Sequence, residues 1–313
     1  MKIFMTGGSG FVGTFLSRKL ALKGHEVTIL TRGGRAPAPT QTGISFLTGN
    51  PAQEGAWMAA VPEHDWVINL AGAPVFGRWD AQTKKNIYDS RILTTRNLIK
   101  ALTTGDRRQF FCSTSAVGFY GARSEETLTE ESGPGTDFLA LLAQDWEAEA
   151  LKAQNLGVHV VITRFGLVLG KNGGVLSQMA PLFKKFLGGP VGAGLQWFSW
   201  IHQEDHARAF LFLNDHPEIS GPVNLTAPNP VRQRELARAL GKALHRPSFL
   251  PAPAFMVRLL LGEFAQVVLE GQKVLPQKLL NAGFPFLYPT LEQALGHLLG
   301  GGKTALEGGE PGT

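Results

Sequence analysis

The stretch MTGGSGFVG, Met5 to Gly13, places glycines at positions 7, 10 and 13 between an apolar run, KIFMT, and a helical run, FVGTFLSRKLALKG. Few arrangements need glycine at that spacing in a strand-to-helix turn. A Cβ at the turn would block the approach of a pyrophosphate to the backbone N–H groups of the helix N-terminus, and the last glycine lets helix and strand pack closely. A glycine cluster alone is weak evidence for this. Its position in the first βα turn, with further strand patterns behind it, predicts a dinucleotide site built from Gly7, Gly10, Phe11, Val12 and Gly13.

The rest of the first half supports that reading. HEVTILT, ISFLTG, DWVINLAG, QFFCSTS and VHVVITRFG read as strands two to six, separated by helical patterns in DAQTKKNIYDSRILTTRNLIKALTT and DWEAEALKAQNLG. Continuous apolarity in the strands points to burial on both faces, as in a parallel sheet covered by helices. Alternating strands and helices predict an α/β chain with a Rossmann-type, doubly wound parallel sheet. After Arg164 the texture changes to LGGPVGAGLQWFSWIH, then an apparent strand GPVNLTA and helices from RQRELARALGKALH onward. The expected organisation is a dinucleotide-binding domain over 1–165, with a late strand near 221–227 rejoining its sheet. A smaller, α-rich C-terminal substrate domain would follow over 166–299, then a disordered tail over 300–313.

Composition narrows the class. The 313 residues include 43% hydrophobic and 18% charged side chains, enough to bury a sizeable core. The single cysteine, Cys112, lies in an apolar strand and fits a reducing, cytoplasmic compartment. No apolar run approaches a membrane span of about 20 residues, and the N-terminus reads as a strand rather than a signal peptide, so no membrane partner is expected. The formal charge of +5 is scattered, with isolated pairs at Arg107-Arg108 and Lys184-Lys185, which argues against nucleic acid and fits a small, phosphorylated ligand. The sequence leaves a homodimer open.

The end of the second strand selects the cofactor. An NAD site wants a carboxylate there for the ribose hydroxyls, whereas ILTRGGR offers Thr31, Arg32 and Arg35. Arg32 can grip a 2′-phosphate in bidentate fashion with Thr31 as an added donor, so NADP(H) is the expected cofactor; the bland alternative is a solvated loop charge. Leu70, Ala71 and Gly72, where the fourth strand ends, are small or unbranched enough at the backbone for ribose and pyrophosphate to lie against them. They are equally compatible with a plain buried strand end.

TGGSGFVG, NLAGAP, SRILTTRNL, STSAVGFYG and TRFGLVLG, in that order, resemble the extended short-chain dehydrogenase/reductases, the superfamily of nucleotide-sugar epimerases and dehydratases. GGPVGAGLQWFSWIHQEDHARAF, LEGQKVLPQKLLNAGFPF and the Trp-Glu pair of AQDWEAEA look more closely like the branch labelled epimerase family protein, the YfcH-type proteins with their own C-terminal domain. The resemblance runs from Met1 to about Leu299. It implies that Asn86 and Arg91 face the cofactor, Arg91 through phosphate, and that Ser113 and Ser115 stand at the strand end where relatives place the substrate-orienting hydroxyl, Ser113 on the cofactor-binding side and Ser115 toward the substrate oxygen.

One part of the superfamily's machinery is missing. Its usual tyrosine relays the substrate proton while a lysine four residues later lowers the phenol's pKa. The three tyrosines here, Tyr88, Tyr120 and Tyr288, are followed at that spacing by Ile92, Ser124 and Glu292. No Y-x-x-x-K exists, and the helix that should carry it reads DFLALLAQDWEAEALKAQ. Ser115 and Tyr120 are the candidate catalytic groups, Tyr120 being either a proton relay or a loop-packing aromatic. His202 and Trp200 are candidate substrate contacts, with Asp205 expected to cap the following helix. His202 and His206 lack a third ligand or an H-E-x-x-H pattern, so no metal is expected. Two functions fit: an NADP(H)-dependent oxidoreductase or epimerase acting on a carbonyl/hydroxyl pair, and a non-catalytic NADP(H)-binding sensor.

Overall fold

The computed structural model describes residues 1–33, 42–102, 109–171 and 173–300. Arg35 and most of the loop after the second strand, the pair Arg107-Arg108, and the expected tail beyond Gly300 lie outside the described residues.

The chain opens with β1 (Lys2–Thr6), α1 (Phe11–Leu22), β2 (Glu26–Thr31), β3 (Ile44–Thr48) and β4 (Trp66–Asn69). The long α2 (Ala81–Ala101) leads to β5 (Phe110–Ala116), a two-residue β6 (Thr127–Leu128), α3 (Phe138–Leu151) and β7 (His159–Phe165). Then come β8 (Leu167–Gly170), α4 (Gly174–Lys184), β9 (Trp197–Phe198), β10 (Trp200–His202), α5 (Gln203–Asp215) and β11 (Gly221–Leu225). The remainder is β12 (Val231–Arg232), α6 (Gln233–Leu244), α7 (Ala254–Leu261), α8 (Ala265–Leu269), β13 (Lys273–Val274), α9 (Gln277–Asn281) and α10 (Leu291–Leu299).

Seven strands form one sheet in the order β11-β7-β5-β4-β1-β2-β3, every pairing parallel. This is a Rossmann-like sheet, as the alternation predicts. Strand side chains alternate between two cores, which is why the strands read as continuously apolar. Met5, Ile29, Ile68 and Cys112 face α1 and α5, packing with Leu16, Leu20, Phe210 and Leu213. Phe4, Leu30, Val67 and Phe111 face the other way, toward Leu98 of α2 and Ala150 of α3. Cys112 is fully buried, and burial pushes its thiol up.

The late strand β11 lies beside β7 at the sheet edge, Gly221 opposite Val161 and Leu225 opposite Phe165. Because α5 packs on α1, residues 203–225 complete the sheet layer. A third core joins Leu176 and Phe183 of α4, Leu236 and Leu240 of α6, and Leu291 and Leu295 of α10. Among the described residues no helix is long and apolar enough to cross a membrane.

Candidate cofactor-binding site

Every strand of the parallel sheet ends at the same edge, and the glycine turn sits there, between β1 and α1. Gly7 has φ +70°, and a Cβ on it would lie 2.6 Å from the Leu70 carbonyl carbon and oxygen and 2.8 Å from Ala71 N. A Cβ on Gly13 would lie 2.4 Å from Gly7 O. Both glycines are therefore demanded by backbone-on-backbone packing at the ends of β1 and β4. Gly10 differs: it is exposed, and its Cβ would meet only Gly7 O, at 3.3 Å. Gly10 is also the extended N-cap of α1 and gives it no side-chain cap. The first-turn N–H groups of Phe11, Val12 and Gly13 thus open on the side that Gly10 leaves clear, which suits a diphosphate.

Thr31 ends β2, and its hydroxyl is buried with no partner among the described residues. Arg32 follows it and is exposed. A donor without an acceptor among the described residues, beside an exposed cation, fits an anionic group outside the strand end. Arg91, from α2, reaches back over the end of β4. Its Nη1 donates to the carbonyls of Ala73 at 3.1 Å and Ile87 at 3.0 Å, and a Cβ on Gly72 would stand 2.9 Å from its guanidinium carbon. No carboxylate reaches Arg91 among the described residues, and burial lowers it to about 10, so it carries an uncompensated charge at neutral pH. Asn86, one turn earlier, is exposed and accepts from Gln82 Nε2 at 2.8 Å.

Deeper along the same edge the hydroxyls are engaged. Ser113 is buried, 3.5 Å from Asn69 Nδ2, and Asn69 also holds Thr6 and Thr95. Ser115 is 1% exposed and donates to Glu147 Oε1 at 2.6 Å. Glu147 comes from α3, the helix expected to carry the Tyr-Lys pair, and its two oxygens accept from Arg164 Nε at 2.8 Å and Nη2 at 2.7 Å. Arg164 Nη1 donates in turn to Tyr120 Oη at 2.9 Å, and that phenol donates to Asn224 Oδ1 at 2.7 Å. Asn224 Nδ2 then donates to Leu275 O.

Tyr120 is therefore not free to act as a relay. It is fully buried, both hydrogen-bonding directions of its hydroxyl are used, and burial raises its pKa. Its closest aromatic neighbour is Phe119, over whose ring the Arg164 guanidinium lies at 3.5 Å. Ser115 belongs to the same buried network, so the geometry brings the two catalytic candidates together but withdraws both from the open edge. Strand alternation turns Thr114 to the opposite face, where its hydroxyl is buried and without a partner among the described residues. The sequence contained a signal for the network: Arg164 is a charged residue inside an apolar parallel strand, a position that calls for a buried carboxylate.

The second-half candidates are also internal. His202 is fully buried; its Nδ1 accepts from Glu204 N at 3.0 Å, capping α5, and its Nε2 lies 3.1 Å from His297 Nδ1. Burial, with His297 adding to it, lowers His202 to about 3, and a neutral ring with both nitrogens occupied has no atom left for substrate. Trp200 is buried with Nε1 donating to Asn229 O at 3.1 Å. Asp205 is not the helix cap: its carboxylate accepts from Leu287 N and Tyr288 N, each at 2.8 Å, and pins that segment to α5. His206 points into the α1/α5 core against Phe165 and Phe210 instead of converging with His202.

Above the ends of β4 and β5, Phe76, Trp79, Phe138 and Phe264 pack edge to face or tilted, and Lys84 lies 5.1 Å over Phe138 while pairing with Glu263. This cluster ties the loop after β4 to the C-terminal segment.

Residues 3–225 match the model of the NAD dependent epimerase/dehydratase family, and 252–298 match a domain of unknown function, DUF1731. An Arabidopsis thaliana protein described as "Epimerase family protein SDR39U1 homolog, chloroplastic" is 41% identical over 94% of this chain and 86% of its own length. "Epimerase family protein YfhF" of Bacillus subtilis is 39% identical over 97% of this chain and 100% of its own. A crystal structure described as human epimerase family protein SDR39U1 (isoform2) with NADPH superposes with a TM-score of 0.83 at 31% identity, covering 96% of this chain and 99% of that one. The Arabidopsis thaliana relative is described as chloroplastic, so family membership does not carry the cytoplasmic expectation. With its glycine turn, parallel sheet and C-terminal extension all matched, the chain belongs to the NAD dependent epimerase/dehydratase family.

Proposed function

We propose that the chain binds NADP(H) across the carboxyl edge of the sheet and acts on a carbonyl/hydroxyl pair of a small, phosphorylated or nucleotide-linked molecule. The observation that carries the cofactor assignment is the end of β2, where a Thr31 hydroxyl without a partner among the described residues and the exposed Arg32 stand in place of a carboxylate. NADPH in the human relative's structure supports the same choice.

In this reading Gly10 clears the approach to the N–H groups at the start of α1, and Leu70, Ala71 and Gly72 form the backbone floor. Thr31 and Arg32 hold the 2′-phosphate, and Arg91 meets phosphate charge from the other side. When bound, the nicotinamide supplies or accepts a hydride. Ser115, held by Glu147, is the hydroxyl nearest in sequence to the exposed Ala116 at the end of β5. Its use would require the Glu147 bond to open, because that oxygen is engaged in the closed network.

That engagement favours a second reading, in which the chain binds NADP(H) without turnover and reports its level to a partner. No phenol-lysine pair lowers a proton barrier here, a contribution usually worth about 10²- to 10⁴-fold.

The test is a titration of wild type and Arg32→Asp with NADPH and NADH, followed by single-turnover oxidation of bound NADPH with a panel of sugar nucleotides and aldehydes. The proposal expects NADPH preference, reversed or abolished by the substitution. Equal affinities before and after it would remove the phosphate assignment. NADPH binding without oxidation by any member of the panel would select the sensor.

A further inference from the structure

The helix α7 is amphipathic the wrong way round for a soluble surface. Its inward stripe is Ala254, Val257 and Leu261, at spacings of three and four, and Val257 is the buried member. The outward positions, where polar residues belong, are Phe255, Met256, Arg258, Leu259 and Leu260, with Phe255, Leu259 and Leu260 each about 70% exposed (68%, 72% and 68%).

The apolar surface continues beyond the helix. Residues 188–192 and 250–252 are stitched together by backbone hydrogen bonds, Leu250 N to Gly188 O, Ala252 N to Pro190 O and Gly192 N to Ala252 O. This brings exposed Phe249 and Leu250 beside exposed Phe186 and Leu187, with Leu182 one turn before. Phe186 sits at φ +63°, the left-handed region that a bulky side chain seldom adopts, directly after α4. A backbone held there at a cost of about 1 kcal/mol or more keeps a large ring in water.

The charge around this surface is predominantly basic. Lys184, Lys185, Arg246 and Arg258 are exposed along it, Arg246 lying 5.0 Å over the Phe186 ring. No Asp or Glu occurs between Glu149 and Glu204, or between Glu235 and Glu263. Glu263, just past α7, is already paired with Lys84 at 2.6 Å. A contiguous apolar face rimmed by cations, whose neighbouring carboxylate Glu263 is already paired, is what an anionic bilayer surface accepts: the apolar side chains enter the boundary region and the cations meet headgroup phosphates and carboxylates. A second copy of the chain is a poorer occupant. A two-fold contact on this face would oppose the same four cations from each copy, with Glu263 beside them already taken by Lys84.

We infer that the α7 face, Phe186, Leu187, Phe249, Leu250, Phe255, Met256, Leu259 and Leu260 with their basic rim, docks the protein peripherally on membranes carrying anionic lipid. No helix need span the bilayer, so the absence of a spanning run in the sequence does not bear on it.

The test is flotation of the full-length protein with vesicles of phosphatidylcholine alone and of a phosphatidylcholine–phosphatidylserine mixture. Leu259→Glu/Leu260→Glu, Phe255→Ser and Lys184→Ala/Lys185→Ala are run beside wild type, and NADPH affinity serves as the folding control. Wild type should float with the anionic vesicles only. The apolar variants should lose flotation, and each lysine removed should weaken partition about fivefold. Absence of wild-type flotation overturns the inference, as does flotation that the apolar variants leave unchanged. A wild-type dimer in sedimentation velocity that Leu259→Glu/Leu260→Glu converts to monomer, without vesicle binding, assigns the face to a second copy instead.

Discussion

Arg164 and Glu147 meet inside the protein as a two-pronged ion pair, 2.8 and 2.7 Å apart, with 4% and 8% of their side chains exposed. The pair joins β7 to α3 and fixes Ser115 on one side and Tyr120 on the other. In place of a reactive phenol with a lysine behind it, the fold has a closed charge network whose members are satisfied by one another.

Removing one member should be costly and removing both less so. Glu147→Leu strands a buried guanidinium and should lower unfolding stability by about 3–5 kcal/mol, whereas Glu147→Leu together with Arg164→Met should cost less than the sum of those two single changes. Urea unfolding of the two single variants and the double variant measures this. Additive losses would mean that the two residues act separately.

The three glycines of the turn should part company when each is changed to alanine. Gly7→Ala and Gly13→Ala force a Cβ to within 2.6 and 2.4 Å of backbone atoms and should destabilise the protein by about 1–3 kcal/mol or more. Gly10→Ala has room, so its melting temperature should stay near wild type while NADPH affinity falls at least about tenfold, a loss comparable to one hydrogen bond to a charged group. Unaltered NADPH binding in Gly10→Ala would place the diphosphate elsewhere.

Arg91 has backbone carbonyls but no carboxylate for company among the described residues, so Arg91→Met should leave stability close to wild type. NADPH affinity should fall about 10- to 100-fold, the equivalent of a lost charge-assisted contact of about 1.5–3 kcal/mol. Calorimetric titration at two salt concentrations separates this from a packing effect, since the variant's affinity should depend less on salt.

Two buried histidines set an acid limit. Burial holds His202 and His206 to about 3, while the unfolded chain titrates them near 6.5. Below pH 6.5 the unfolded state takes up protons that the native state refuses, so stability falls as pH drops from 6.5 toward 3 and is unaffected by these groups above 6.5. The slope is about 1.4 kcal/mol per pH unit per histidine in that window. His206→Phe should remove one share of it, read from urea midpoints at several pH values. A pH profile identical to wild type would mean that His206 is charged in the native state.

Local patterns in the sequence determined the strand-helix alternation, the glycine turn, the missing carboxylate after β2 and the missing Tyr-Lys spacing. Each depends on residues a few positions apart, and the periods of strand and helix write themselves into such short windows. Tertiary structure alone decided which polar residues face the open edge. Ser115 and Tyr120 look like accessible hydroxyls in STSAVGFYG because nothing nearby says otherwise; Glu147, Arg164 and Asn224, up to 104 positions away, draw them inside. His202 reads as a site residue in WFSWIHQEDH until His297, 95 positions on, closes over it. Burial of a polar group is settled by the partners that compensate its lost hydration, and those partners come from wherever the sheet and its helices bring the chain together.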